Sequence, residues 1–278
     1  MVSLLSPFLS FFLAFFFFIA PVSPLLIEAI NHGYRWDAIT SLLSREDCVF
    51  PYEYFDAVLS NQHKREWDFF GLCGCPTSIV TMVMWLARLS AERRKASLLS
   101  PDAEFDETVI SEIEQSLESW FHIPAPAALL DEDGMHQDMD VLHCSEAWRK
   151  GLLLYVFRVF RWEPGSSVPV HILYHARAVV DHVVSCRDVN MVGRQALLPL
   201  FFAGCELQDS STRAQIVQLC SMWDKRTKYH MFGGAISLLQ EVWANQETEG
   251  RNYAWWGQVV DRHHTSAVHP LKVRLCFG

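Results

Sequence analysis

The stretch Gln195–Asp209, QALLPLFFAGCELQD, carries no charged side chain before Glu206. A helix packed on one face only would show a polar residue at every third or fourth position, so this run predicts an element buried on all sides. We take it as a helix at the centre of the fold. Pro199 lacks a backbone donor and disfavours helix in the residue before it, so the helix either begins near Leu198 or kinks there. Gly204, with no Cβ, lets a neighbouring backbone come close. Surrounding such a segment takes a large apolar complement. A 278-residue chain that is 50% hydrophobic, with ten tryptophans and nineteen phenylalanines, supplies it.

The rest of the chain repeats a helical rhythm. After the turn Gly71–Pro76, with Thr77 or Ser78 as a cap, Ile79, Met82, Val83, Leu86 and Leu89 fall on one face before the run Glu92-Arg93-Arg94-Lys95, which reads as a solvated helix end. Asp106 and Glu107 open a second helix, with Val109, Ile110, Ile113, Leu117 and Trp120 inward; it stops before Pro124. The acidic stretch to Asp140, with Asp131-Glu132-Asp133-Gly134, is expected to be a surface loop. It lacks the ligand alternation and closing glutamate of a calcium loop.

Trp148, Leu152, Tyr155, Val156 and Val159 then give a helix over 145–162, ended by Pro164-Gly165. Ile172, Ala176, Val179, Val180 and Val183 give another, although its start VPVHILY is rich in β-branched residues. Asp209-Ser210-Ser211 caps a helix bearing Ile216, Val217, Cys220 and Trp223. Ala235, Leu238, Leu239 and Val242 mark the next, and residues 251–262 a last short one before a tail with His263, His264 and His269. The expected fold class is all-α, with antiparallel helix pairs stacked around the buried central helix. The domain reading is an apolar segment over 1–27, a helical domain over 28–262 and a tail over 263–278.

Residues 1–27 carry no charge, and FLSFFLAFFFFIA at 8–20 invites a membrane reading. As a helix that run spans roughly 20 Å against a hydrocarbon core of roughly 30 Å. The segment also lacks the basic start and clean cleavage site of a secretory signal. Three readings stand for it: a membrane anchor or signal, a buried first helix, or a chain start left apolar because a preceding part is missing.

A formal charge of −9 gives no whole-chain attraction to a phosphate backbone. The eight cysteines show one close pair, Cys73 and Cys75, and neither a disulfide framework nor the two spaced pairs of a structural zinc site, which predicts reduced, buried thiols. His171 and His175 stand four apart, extended by His182 and Cys186, so they could meet on one helix face as metal ligands. Ile172 occupies the place of the glutamate that an HExxH hydrolase requires. A thiol at Cys73 or Cys75 before a helix could be activated, but no partner histidine is identifiable. No glycine-rich phosphate loop or nucleophile elbow occurs. On these grounds no residue is assigned a catalytic, cofactor-binding or metal-binding role, and no cofactor is expected.

Four segments together resemble a known family. They are Trp67-Asp68-Phe69-Phe70-Gly71-Leu72-Cys73-Gly74-Cys75-Pro76; Trp148-Arg149-Lys150-Gly151-Leu152-Leu153-Leu154-Tyr155 with Arg158-Val159-Phe160; Leu197-Leu198-Pro199-Leu200-Phe201-Phe202-Ala203-Gly204-Cys205-Glu206; and Leu238-Leu239-Gln240-Glu241-Val242-Trp243. In this order, over 48–262, they resemble the fungal-specific transcription factor domain, the all-helical regulatory portion that follows a binuclear zinc cluster in that family. The resemblance implies a nonenzymatic, nuclear transcription regulator that works through protein partners or a homodimer, with room for a small-molecule effector. The family's zinc cluster, six closely spaced cysteines among basic residues, has no counterpart in these residues, and Cys73 and Cys75 belong to the helical domain. Direct DNA binding is therefore not expected, and the chain reads as a homologue reduced to its regulatory domain. The alternative is a membrane-associated helical protein held by residues 1–27.

Overall fold

A computed structural model describes residues 37–53, 74–99, 105–123, 131–187, 195–227 and 229–265. The apolar segment 1–27, the aromatic stretch before Cys73, Cys73 itself and His269 lie outside the described residues. The fold is all-α, with no strand among the described residues. Its elements are α1 (37–44), α2 (Thr77–Leu99), α3 (Thr108–Ser119), α4 (Glu132–Val156) ending in a π-helical turn (Phe157–Arg161), α5 (Val170–Ser185), α6 (Leu197–Glu206), α7 (Ser210–Thr227), α8 (His230–Glu249) and α9 (Trp256–Thr265). None of them is long and apolar enough to cross a membrane.

Every residue of α6 is buried. Pro199 sits in its first turn, where a helix needs no backbone donor, so the helix starts at Leu197 without a break and Leu200 N–H reaches Ala196 O at 2.9 Å. Helices α4, α5 and α8 pack around it, and α4 against α5 is the most extensive helix contact. The five positions expected on the inner stripe of α5 are the five that are buried, so tertiary burial overrides the β-branched start. In α8 the inner face is Phe232, Ala235, Leu238, Leu239, Val242 and Gln246. The core of α7 is Thr212, Ile216, Cys220 and Trp223, with Asp209 Oδ2 accepting from Thr212 N at 2.8 Å as its cap.

Three expectations are corrected. The acidic segment after Leu130 is no loop but the entry of α4. Asp131 accepts from Gly134 N at 2.8 Å and Glu132 and Asp133 occupy the first turn, where carboxylates favour the positive end of the helix dipole. The basic run in α2 is a solvated end only at Glu92 and Lys95, which are exposed. Arg93 donates to Phe160 O at 2.8 Å, Arg94 to Ser44 O at 2.9 Å, and Lys95 pairs with Asp47. In α3, Val109 faces solvent while Ile110, Ile113 and Leu117 alone are buried. Glu107 and Glu114 of this region bond Arg161 of the π turn and so fasten α3 to the end of α4.

A further clasp joins the first and last described elements. Arg45 follows α1 with φ +54°, an unusual backbone for a long side chain. Its guanidinium lies 4.7 Å from the Trp255 ring centroid and 5.3 Å from that of Trp256. It donates to Gly257 O at 3.0 Å and to Asp261 at 2.7 Å. Arg94 meets the same carboxylate at 3.0 Å, and Tyr155 donates to Leu42 O at 2.9 Å from the core side.

Candidate functional site

A helix end leaves four carbonyls without intrahelical donors, and a buried end has no water to satisfy them. At the end of α6 side chains take that role. Trp243 Nε1 donates to Gly204 O and Gln246 Nε2 to Cys205 O, both at 2.8 Å; Arg251 donates to Glu206 O at 2.9 Å, and Arg213 Nε to Leu207 O at 2.8 Å. Gly204 makes room for side chains rather than for a neighbouring backbone: a Cβ there would stand 2.9 Å from the terminal methyl Leu239 Cδ2.

The side chain of Glu206 faces Arg158. Nε and Nη2 of the arginine contact the two carboxylate oxygens at 2.6 and 2.8 Å, and both side chains are 1% exposed. Arg158 belongs to the π turn, closed by Trp162 N–H to Phe157 O at 2.8 Å, whose wider winding displaces its side chains from the α-helical register. The guanidinium also lies 4.7 Å from the Trp162 ring centroid. Arg251 Nη2 stands 3.8 Å from Glu206 Oε2, and burial holds the Arg251 pKa below its usual value against the attraction of that carboxylate. Arg158 Nη1 and Arg251 Nε are buried without a hydrogen-bond partner, so a single carboxylate offsets the buried guanidinium of Arg158 and part of the charge of half-buried Arg251. This cluster holds no nucleophile. Its geometry ties the π turn, α6, α8 and the turn after α8 into one unit.

The motif segments meet here. Gly151 lets α4 approach α6 so closely that an added Cβ would lie 2.7 Å from Pro199 Cβ. Cys144 donates to Gly74 O at 2.9 Å, which ties the Gly74–Pro76 turn to α4.

His171, His175 and His182 do not converge on one point. His171 and His175 lie with ring centroids 6.2 Å apart on α5, while His182 Nδ1 contacts His143 Nδ1 of α4 at 3.0 Å. The Cys186 thiol turns to the carbonyls of His182 and Asp140. Among the described residues no three His, Cys, Asp or Glu side chains gather as a metal ion would need. The Nδ1 contact lets only one of the two rings carry its proton there. Burial, followed by the charges of Lys150, His171 and Arg149, lowers the His175 pKa to about 4; burial and His143 lower that of His182. Burial pushes Cys186 and Cys220 up to about 12 and Cys205 well above its usual value, so none of the three is a thiolate nucleophile. Between α5 and α7 an uncharged groove of about 250 Å³ is lined by Val183, Val184, Cys186, Gln215, Leu219 and Trp223, among others.

Comparison with protein families gives a match over residues 3–268 to the family described as the fungal specific transcription factor domain. That span is wider than the residues 48–262 that carry the motifs and includes most of the apolar start. The curated proteins and the solved structures give no match.

Proposed function

The chain belongs to the fungal specific transcription factor domain family, and from this we propose that it is a nonenzymatic transcription regulator, acting in the nucleus through protein contacts rather than by touching DNA itself. The family match over almost the whole chain carries the reading. The architecture is consistent with it: the fold is all-α, and its most buried charged cluster serves helix packing. The uncharged groove between α5 and α7 gives a small neutral effector a place to act, because a ligand there would touch both helices.

Two measurements test the reading. A fluorescent fusion in a fungal host is expected in the nucleus, and the chain tethered to an unrelated DNA-binding module is expected to change reporter output. Membrane pelleting that is lost on deleting residues 1–27 would favour the anchored alternative. Tight sequence-specific DNA binding by the purified chain alone would refute the proposed division of labour.

A further inference from the structure

The negative charge of the chain is concentrated in one part of it. Residues 96–148 contain thirteen Asp and Glu and no Lys or Arg, whereas the remaining residues contain nineteen acidic and twenty-three basic side chains. The formal −9 thus divides into −13 in this stretch and +4 elsewhere. Its described parts include α3 and the first half of α4, which pack against each other.

Some of these carboxylates serve the fold. Glu107 and Glu114 bind Arg161, Glu146 binds Arg149, and Asp106 and Asp131 accept from the backbone at the starts of α3 and α4. Glu112, Glu118 and Asp133 are exposed and form no ion pair among the described residues. In the same stretch the chain leaves large apolar groups in solvent: Phe121, three residues after Glu118, is 71% and Ile123 77% exposed, and Met135, two residues after Asp133, and Met139, one turn on along α4, are also exposed. His122 Nε2 contacts Asp138 Oδ1 at 3.4 Å, which sets residues 121–123 beside the turn of α4 that the two methionines bracket. Exposed apolar side chains with a polar rim mark interaction surfaces, and methionines adapt to the shape of what they bind.

We propose that this face docks a basic amphipathic helix of a partner protein. Phe121, Ile123, Met135 and Met139 receive its apolar stripe, and Glu112, Glu118 and Asp133 meet its lysines and arginines. Charge selects this occupant. A nucleic acid would be repelled, and a second copy docking through the same face would set two acidic surfaces against each other. A helix laid on an apolar surface, with charges fixing its orientation, is an established recognition mode. The inference rests on the regulatory reading above and gives the chemistry of the partner.

The test titrates the purified full chain into a fluorescein-labelled helical peptide of about 18 residues, long enough for five turns, made of leucine and lysine in an amphipathic pattern, and reads anisotropy. Two controls have the same composition in scrambled order and glutamate in place of lysine. The patterned peptide is expected to bind saturably and about tenfold or more tighter than either control. Phe121→Ser with Ile123→Ser is expected to weaken it about tenfold while thermal melting stays unchanged, because both side chains stand in solvent. Glu118→Gln with Asp133→Asn should weaken it several-fold and flatten its salt dependence. Equal binding of the scrambled peptide, or unchanged affinity in the Phe121/Ile123 variant, would overturn the proposal. So would a shift of that variant from dimer to monomer in sedimentation, which would assign the face to a second copy. These outcomes leave the reporter result of the tethered chain untouched, so failure of the docking face and failure of the regulatory reading can be told apart.

Discussion

Replacing Glu206 with Gln keeps the shape of the side chain and removes its charge, leaving the Arg158 guanidinium, in a site 1% exposed, without a counterion. Breaking a buried pair from one side costs about 3–5 kcal/mol, because the remaining charge keeps its desolvation penalty and loses its partner. Arg251, 3.8 Å from the same carboxylate, loses part of its balance too, so the upper half of that range applies. With about 2.1 cal/mol/K of unfolding entropy per residue and 278 residues, the melting entropy is about 0.6 kcal/mol/K, and a loss of about 4–5 kcal/mol lowers the midpoint by about 7–9 °C. Arg158→Met should cost less, about 2–4 kcal/mol, because Arg251 remains near the carboxylate. The double replacement removes both charges of the pair, so Arg158→Met with Glu206→Gln should lose at least about 2 kcal/mol less than the sum of the two single losses, measured by urea unfolding as a double-mutant cycle. Losses that add within about 0.5 kcal/mol would refute the reasoning. They would mean that each side chain contributes by packing alone.

Two glycines offer opposite outcomes from the same change. Gly151→Ala places a Cβ 2.7 Å from Pro199 Cβ and 2.9 Å from its Cα, so α4 and α6 must separate, and urea midpoints should show a loss of about 1–3 kcal/mol. Gly234→Ala, inside α8 with nothing within 4 Å of the new methyl, should gain about 0.5–1 kcal/mol. Stability should also fall with acid on account of His175. Its folded pKa of about 4 lies below the unfolded value near 6.5, so the unfolded chain binds more protons below that pH, and the contribution is complete above about 6.5 and lost as pH falls towards 4. The slope limit of about 1.4 kcal/mol per pH unit drops to about 0.5–1 for a half-buried ring. His182, shifted the same way, adds to it, and the difference between wild type and His175→Asn across this range isolates the first ring.

Periodicity carried the parts of this fold in which burial is the only requirement. The stripes of α5 and α8 follow from apolar spacing, and the run through Phe201 and Phe202 could be satisfied only by burial on every side. Where a charge decides the structure, spacing is silent. Asp131-Glu132-Asp133 has the composition of a solvated loop, and only the backbone donor of Gly134 turns it into a cap. Arg93 and Arg94 look like a wet helix end until their acceptors, Phe160 O and Ser44 O, arrive from 67 and 50 residues away. The Arg158–Glu206 pair did leave a signal, since Glu206 is a lone charge at the end of an apolar run and such a charge needs a partner. His143 left none. It meets His182 from the neighbouring helix, 39 residues away, and no pattern within either helix relates the two.

The Arg45 clasp sets a schedule for making this protein. Its contacts with Gly257 and Asp261 join positions 212 and 216 residues apart, and at about 5–20 residues per second a ribosome needs about 10–40 s to add the partners once Arg45 has been made. During that interval α1 has no Trp255 or Trp256 to pack its arginine against, while Arg94 of α2 and Tyr155 of α4 already reach its carbonyls. Had nothing formed between, closing a loop of this size would cost about 5 kcal/mol in chain entropy; the helices folded meanwhile shorten that search. The clasp therefore waits for the segment that carries Trp255 to Asp261, and a chain that stops before Trp255 leaves the first described helix without the partners of its arginine.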